Sequence, residues 1–181
     1  MDVVKFLSLL TLLSNIFVLI VFTLFLLKRF AKVKAFDSLF KGLSRHALTL
    51  SLVVALTATL GSLYLSEVRH FEPCKFCWLQ RIFMYPLVFI LSTALIKRAK
   101  DYESYVLPLS TVGMLLAGYH YYMQVSPKPL APCSVVGFSV SCTERFFTHY
   151  GYITIPWMSL SAFALIILYM LFSRAKLDER K

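Results

Sequence analysis

Charge is scarce in this chain. Only 15% of its 181 residues are Asp, Glu, Lys or Arg, whereas 59% are hydrophobic and the mean hydropathy is +0.72. A soluble domain of this size carries more charge than that, so composition excludes one. Internal repeats and low-complexity tracts are missing as well, which removes a solenoid reading. What the chain has instead is a set of long apolar runs.

A membrane-spanning helix needs roughly 20 mostly apolar residues. Five stretches qualify: about Phe6 to Leu27, Leu48 to Leu65, Trp78 to Ile96, Tyr105 to Met123, and Ile153 to Phe172. The expected fold is therefore an all-α integral membrane protein seated in a lipid bilayer. The first run is too long for a secretory signal, has only Lys5 before it, and shows no small-residue cleavage site ahead of Lys28-Arg29, so it is expected to be retained.

Acidic residues are the scarcer charge, nine against 19 basic, giving a net charge of +10. The distribution of the basic residues points away from nucleic acid. Lys28, Arg29, Lys32, Lys34, Lys41 and Arg45 lie in the first connection, Lys97, Arg98 and Lys100 in the third, and Arg174, Lys176, Arg180 and Lys181 at the end. These are alternate connections on one side, and the positive-inside rule makes that side cytoplasmic. The N-terminus and both cysteine-bearing connections then face outward, and the C-terminus inward. Tyr64, Trp78, Tyr119, Tyr121, Tyr122, Tyr152 and Trp157 fall near the outer helix ends, as an interfacial aromatic belt does.

Two connections invite a local prediction. Phe36, Leu39, Phe40 and Leu43 recur at helical spacing among charged residues, which predicts a short helix lying in the inner interface. In the last outer connection, Pro127, Pro129 and Pro132 stiffen the approach to Cys133, while Phe146, Phe147 and Tyr150 predict an amphipathic turn on the membrane surface. His46, His70 and His149 show no partner pattern.

Cysteine is limited to four residues, Cys74 and Cys77 in one outer connection and Cys133 and Cys142 in the next. Disulfides persist on the outer side of a cytoplasmic membrane, so two dithiols there suggest an electron relay. Cys77 falls in the first turn of the third run, where free backbone N–H groups and the helix dipole favour a thiolate. Arg81, at i+4, shares its face, and Gln80 lies at i+3. A permanent cation at that depth suits both a thiolate and the carbonyl oxygen of a quinone.

These residues resemble the DsbB family of thiol:quinone oxidoreductases (disulfide bond formation protein B), most closely its small BdbC-like branch. The resemblance rests on Gly61-Ser62-Leu63-Tyr64, Glu72-Pro73-Cys74, Cys77-Trp78, Gln80-Arg81 and Met84-Tyr85-Pro86-Leu87, then on His120, Gln124, Cys133, Cys142 and Gly151-Tyr152-Ile153-Thr154-Ile155-Pro156. It implies a four-helix redox core over 47–173, preceded by an extra transmembrane helix and basic connection over 1–46 and followed by a basic tail over 174–181. It also implies catalysis by all four cysteines, with Cys133 attacked by a thioredoxin-like thiol-disulfide oxidase (DsbA/BdbD-like). Arg81, Gln80, His120 and Gln124 would meet a quinone, menaquinone or ubiquinone, drawn from the membrane pool, and no metal would be needed. The extra helix and the eight residues between Cys133 and Cys142 depart from the family pattern.

Two other readings stay open at this level. Both cysteine pairs could be inert staples of outer loops, which leaves Arg81 without a role. A vitamin K epoxide reductase-like enzyme also links cysteine pairs to a quinone, but there the CxxC pair comes late in the chain, whereas Cys74 and Cys77 come first.

Overall fold

The computed structural model describes residues 3–31, 37–126 and 141–178. They form five long helices: α1 (Val3–Ala31), α2 (Asp37–Leu63), α3 (Lys75–Lys97), α4 (Glu103–Val125) and α5 (Ile155–Asp178). Among the described residues the sole β-pairing is an isolated bridge between His149 and Ile153. Among the described residues four segments are long and apolar enough to cross a membrane: Val3–Leu24, Phe40–Val68, Lys75–Lys97 and Ile155–Arg174. α4 has the length, at 23 residues, but Glu103, His120, Gln124 and four tyrosines dilute its apolar character. The protein is an all-α integral membrane protein, a bundle of α2 to α5 with α1 added against α5.

α2 packs on α3 and α5, and α4 packs on the same two helices from the other side. Lipid tails are as apolar as leucine, so close fit between helices selects this arrangement rather than burial from water. Leu87 and Leu91 of α3, Val106 and Ala117 of α4, and Phe163, Ile166 and Met170 of α5 are fully buried at its centre. Gly113 is the tightest point: a Cβ there would lie 2.3 Å from Cζ of Phe163, so only glycine lets that ring rest on α4. Pro86 sits inside α3 and Pro108 inside α4 without ending either helix, as membrane bundles permit.

The expected short interfacial helix is not a separate element. α2 starts at Asp37 and runs unbroken to Leu63, so Phe40 and Leu43 belong to its first turns. No proline interrupts the stretch, and Gly42 alone is too weak a breaker to divide it. At its C-terminal end α2 widens into a π-helical turn, Tyr64–Val68, closed by Arg69 N–H on the Tyr64 carbonyl at 3.1 Å.

One end of the bundle is locked by a polar cluster. The Ser173 hydroxyl donates to Glu103 Oε1 at 2.6 Å and accepts from the Tyr102 hydroxyl at 2.9 Å, tying α4 to α5. The opposite end, where α3 begins, is tied by loops. Phe71 stacks on Phe146 with ring centroids 4.8 Å apart and touches Phe147 at 6.2 Å, which joins the two cysteine-bearing connections. Those phenylalanines do not form the expected helical turn, because the chain bends instead at Tyr150 and Gly151. Both take positive φ, 52° and 80°, as a mirror-image turn between His149 and Ile153 requires. The proline-rich approach and Cys133 lie outside the described residues.

α1 is held by polar contacts. Ser8 directs its own proton to the Val4 carbonyl at 2.8 Å, so its oxygen accepts from His149 Nδ1 at 2.6 Å. Asn15 accepts from Ser161 of α5 at 2.8 Å and donates to the Tyr152 hydroxyl at 3.4 Å. Interhelical hydrogen bonds in membranes are worth about 0.6 kcal/mol on average, so these contacts set register more than they set stability.

Candidate functional site: a dithiol between a membrane cavity and a cysteine-bearing loop

Pro73 delivers an extended Cys74 (φ −72°, ψ 173°) to the N-cap of α3, where its carbonyl accepts from Trp78 N–H at 3.1 Å. Cys77 follows within the first turn. Both are free thiols, with their sulfurs 3.4 Å apart. Cys74 is buried and Cys77 partly exposed. The helix start explains the pair: cysteines three residues apart at an N-terminus meet on one side of the first turn.

On one side of the dithiol lies a cavity of about 300 Å³ with walls from α1, α2, α3 and α5. Its polar lining includes Cys77, Gln80, Arg81 and Ser62, and most of its surface is apolar. Arg81 is fixed from three directions. Its Nε donates to Ser62 Oγ at 3.0 Å, its Nη2 donates to the Ser62 carbonyl at 3.1 Å, and its guanidinium lies over the Trp78 ring at 5.1 Å. Nη1 has no hydrogen-bond partner among the described residues, which leaves a cationic donor for a molecule in the cavity.

On the other side the packing is tight. His120 of α4 is buried, with Nε2 3.5 Å from Cys74 Sγ and 3.1 Å from the Cys142 carbonyl. Gln80 Nε2 donates to His120 Nδ1 at 2.9 Å, so the ring proton resides on Nε2 and points at the sulfur and the carbonyl. One turn further, Gln124 donates to the Glu144 carbonyl at 2.8 Å, and Arg145 returns a hydrogen bond to the Gln124 carbonyl. The loop carrying Cys142 is thereby fastened along α4. Cys142 is disulfide-bonded and buries together with Cys74 and Met123.

Cys74 lies just outside the membrane-spanning segment, and its thiol is pulled down to about 4. The main cause is the Cys77 thiol donating to its sulfur; burial opposes this and the His120 hydrogen bond supports it. In the reduced pair the thiolate therefore sits on Cys74, whereas the first-turn reasoning had favoured Cys77. The difference comes from position: Cys74 lies within reach of the Cys77 thiol, the Cys77 backbone and His120 Nε2.

The sequence-predicted residues thus divide into two groups. Cys77, Gln80 and Arg81 line the cavity, while His120 and Gln124 do not reach it and instead border a small cleft with Cys74, Cys77 and Glu144. Gln80 belongs to both sides, touching the cavity and fixing the His120 ring. Cys133 is outside the described residues. Sequence reasoning missed Ser62, although Gly61-Ser62 stood in the resemblance, because a lone serine near a helix end carries no periodic signal. It also missed His149, whose partner Ser8 is 141 residues away.

Ligand atoms of Cys74, Cys77 and His120 come within 4.8 Å of one another, as a metal site requires. The proton on Nε2 argues for a different use. A metal bond needs a lone pair there, and the Gln80 amide holds the ring in the opposite tautomer.

A family model described as disulfide bond formation protein DsbB matches residues 44–173. The chain belongs to the DsbB family. It is similar to disulfide bond formation protein C of Bacillus subtilis, 44% identical over 131 residues that cover 71% of this chain and 93% of that protein. A probable disulfide formation protein C of Halalkalibacterium halodurans is 43% identical over 118 residues, covering 65% of this chain and 85% of the relative. A probable disulfide formation protein of Coxiella burnetii is 36% identical over 142 residues, covering 78% and 96% respectively. No solved structure matches the chain. The family match begins inside α2 and leaves α1 outside it.

Proposed function

We propose that the protein is a membrane thiol:quinone oxidoreductase. It reoxidises a thioredoxin-like thiol oxidase (DsbA/BdbD-like) by disulfide exchange and passes the electrons to a membrane quinone, which sustains disulfide formation in extracytoplasmic proteins. The observation that carries this reading is the shared cavity: a free thiol, Cys77, and a fixed cation with an unused donor, Arg81, line one mostly apolar space. A planar dione needs such a space, with a donor for its carbonyl and a sulfur within reach. Inert loop staples need neither.

Each exchange forms one S–S bond and releases one thiolate. The reduced partner attacks Cys133 and frees Cys142. Cys142 attacks Cys74 of the Cys74–Cys77 disulfide, and Cys77 leaves as a thiolate on the cavity side. The burial of Cys142 with Cys74 supports that order. His120 donates from Nε2 to the Cys74 sulfur, and Gln124 holds the loop so that the two cysteines stay together. Arg81 offers Nη1 to a carbonyl oxygen of the quinone. The partner's second thiol then displaces Cys133 and leaves the partner oxidised, and Cys133 attacks Cys142 and frees Cys74. The quinone, a menaquinone or ubiquinone, would supply the electron sink, taking two electrons and two protons as Cys74 and Cys77 close to a disulfide.

The distribution of basic residues supports a sidedness for this chemistry. With Lys and Arg concentrated around the α1–α2 junction, around the α3–α4 junction and at the end of α5 and beyond, the positive-inside rule favours a bacterial cytoplasmic membrane protein with the N-terminus and cysteine loops outside and the C-terminus in the cytosol. Anaerobic turnover of purified protein with a reduced thioredoxin-like partner and a quinone tests the whole reading. Turnover is expected in the unaltered protein and absent in Cys77→Ser; undiminished turnover in that variant would reject the electron route.

A further inference from the structure

The helix outside the family match supplies a wall of the cavity. Leu7, Leu10, Thr11 and Ser14 of α1 all line it. Their spacing, i, i+3, i+4 and i+7, makes one continuous helical stripe. The opposite face carries Phe6, Leu13, Ile16 and Leu19, which are 44%, 54%, 46% and 65% exposed. One helix thickness therefore separates the cavity from surrounding lipid on this side.

α1 approaches at the point that holds the cation. A Cβ on Gly61 would lie 3.2 Å from a terminal methyl of Leu7, and Gly61 directly precedes Ser62, the anchor of Arg81. The polar groups on the stripe have a defined sense too. Thr11 spends its proton on the Leu7 carbonyl at 2.9 Å and Ser14 on the Thr11 carbonyl at 2.8 Å, so both present oxygen lone pairs as acceptors. Arg81 presents a donor. The contacts of Ser8 with His149 and of Asn15 with Ser161 and Tyr152 hold the stripe in register with the cavity.

We infer that α1 is the closing wall of the quinone cavity and the element that limits which quinone rings it accepts, with Leu7 and Leu10 setting ring width and Thr11 and Ser14 receiving the O–H of the quinol. This rests on the thiol:quinone reading and deepens it. The quinone carbonyls are acceptors and pair with Arg81. The quinol gains O–H donors, for which the lone pairs of α1 are the complement.

The test is photolabelling of the whole protein, in lipid, with an azido-substituted quinone, beside anaerobic kinetics of Leu10→Trp and Leu13→Trp. Label is expected on α1 within Leu7 to Ser14. Leu10→Trp is expected to raise the KM for quinone tenfold or more, with exchange between the reduced partner and the protein unchanged when quinone is omitted. Leu13→Trp, on the lipid face, is expected to match the unaltered protein. Label confined to α2, α3 and α5, with an unchanged KM in Leu10→Trp, overturns the inference while the unaltered protein still reduces quinone. Failure of the unaltered protein to reduce quinone at all sinks the proposed function, and this inference with it.

Discussion

The two sides of the Cys74–Cys77 pair differ in every physical respect. On the Cys77 side there is space, about 300 Å³, a permanent charge and a donor without a protein partner. On the Cys74 side space is nearly absent, the groups nearest the sulfur are amides and an imidazole, and these already donate to protein acceptors. A roomy, charged side is built to receive a small molecule. A tight side whose donors are engaged is built to hold another segment of the same chain and to govern sulfur chemistry. The dithiol joins the two, with Gln80 touching both.

The comparison breaks first at the sulfurs. Cys77→Ser is expected to abolish turnover with partner and quinone, whereas Cys74→Ser is expected to leave a thiol at the cavity but no exchange with Cys142. Trapping of mixed disulfides under each substitution distinguishes the two. Next in size is the cation. Arg81→Ala removes a charged hydrogen-bond donor, worth about 1.5–3 kcal/mol, so the KM for quinone should rise roughly 10- to 100-fold. Arg81→Lys should recover only part of this, because lysine cannot hold Ser62 Oγ, the Ser62 carbonyl and a ligand in one plane.

A smaller effect is expected on the tight side. With the Cys74 thiol pulled down to about 4, its thiolate is present across neutral pH and is lost as pH falls through that value. Thiolate absorbance of the reduced protein should therefore persist at pH 6 and fade on further acidification. His120→Ala removes a donor to the thiolate, so the midpoint should move upward, while the KM for quinone stays nearly unchanged. A large KM change in His120→Ala would erase the division between the sides. Smallest is Gln124→Leu, which loses the hydrogen bond to the Glu144 carbonyl and should cost about 1 kcal/mol in thermal unfolding.

Much of this was legible from residue order. Apolar runs gave the helices, because a bilayer demands about 20 apolar residues whatever the packing. Cys74, Cys77 and Arg81 were legible because i+3 and i+4 spacing at a helix start fixes a shared face. The depressed thiol was legible in kind but not in place, since the groups within reach of each sulfur, His120 Nε2 among them, are set by packing. α4 and α1 show where reading fails. The partners of His120 and Gln124 are loop carbonyls at Cys142 and Glu144, and a carbonyl leaves no trace in a sequence. The docking of α1 depends on Ser8 and Asn15, single polar residues in an apolar run, and hydrophobic periodicity cannot orient a helix among lipids that are equally apolar.

The most direct measurement is a single turnover. Protein reduced at Cys74 and Cys77 is mixed anaerobically with quinone in the absence of any partner. One quinone should be consumed per protein, two free thiols should disappear, and Cys77→Ser should show neither change. Quinone that stays oxidised beside the reduced dithiol, or equal consumption by Cys77→Ser, would contradict the transfer of electrons from Cys77 into the cavity.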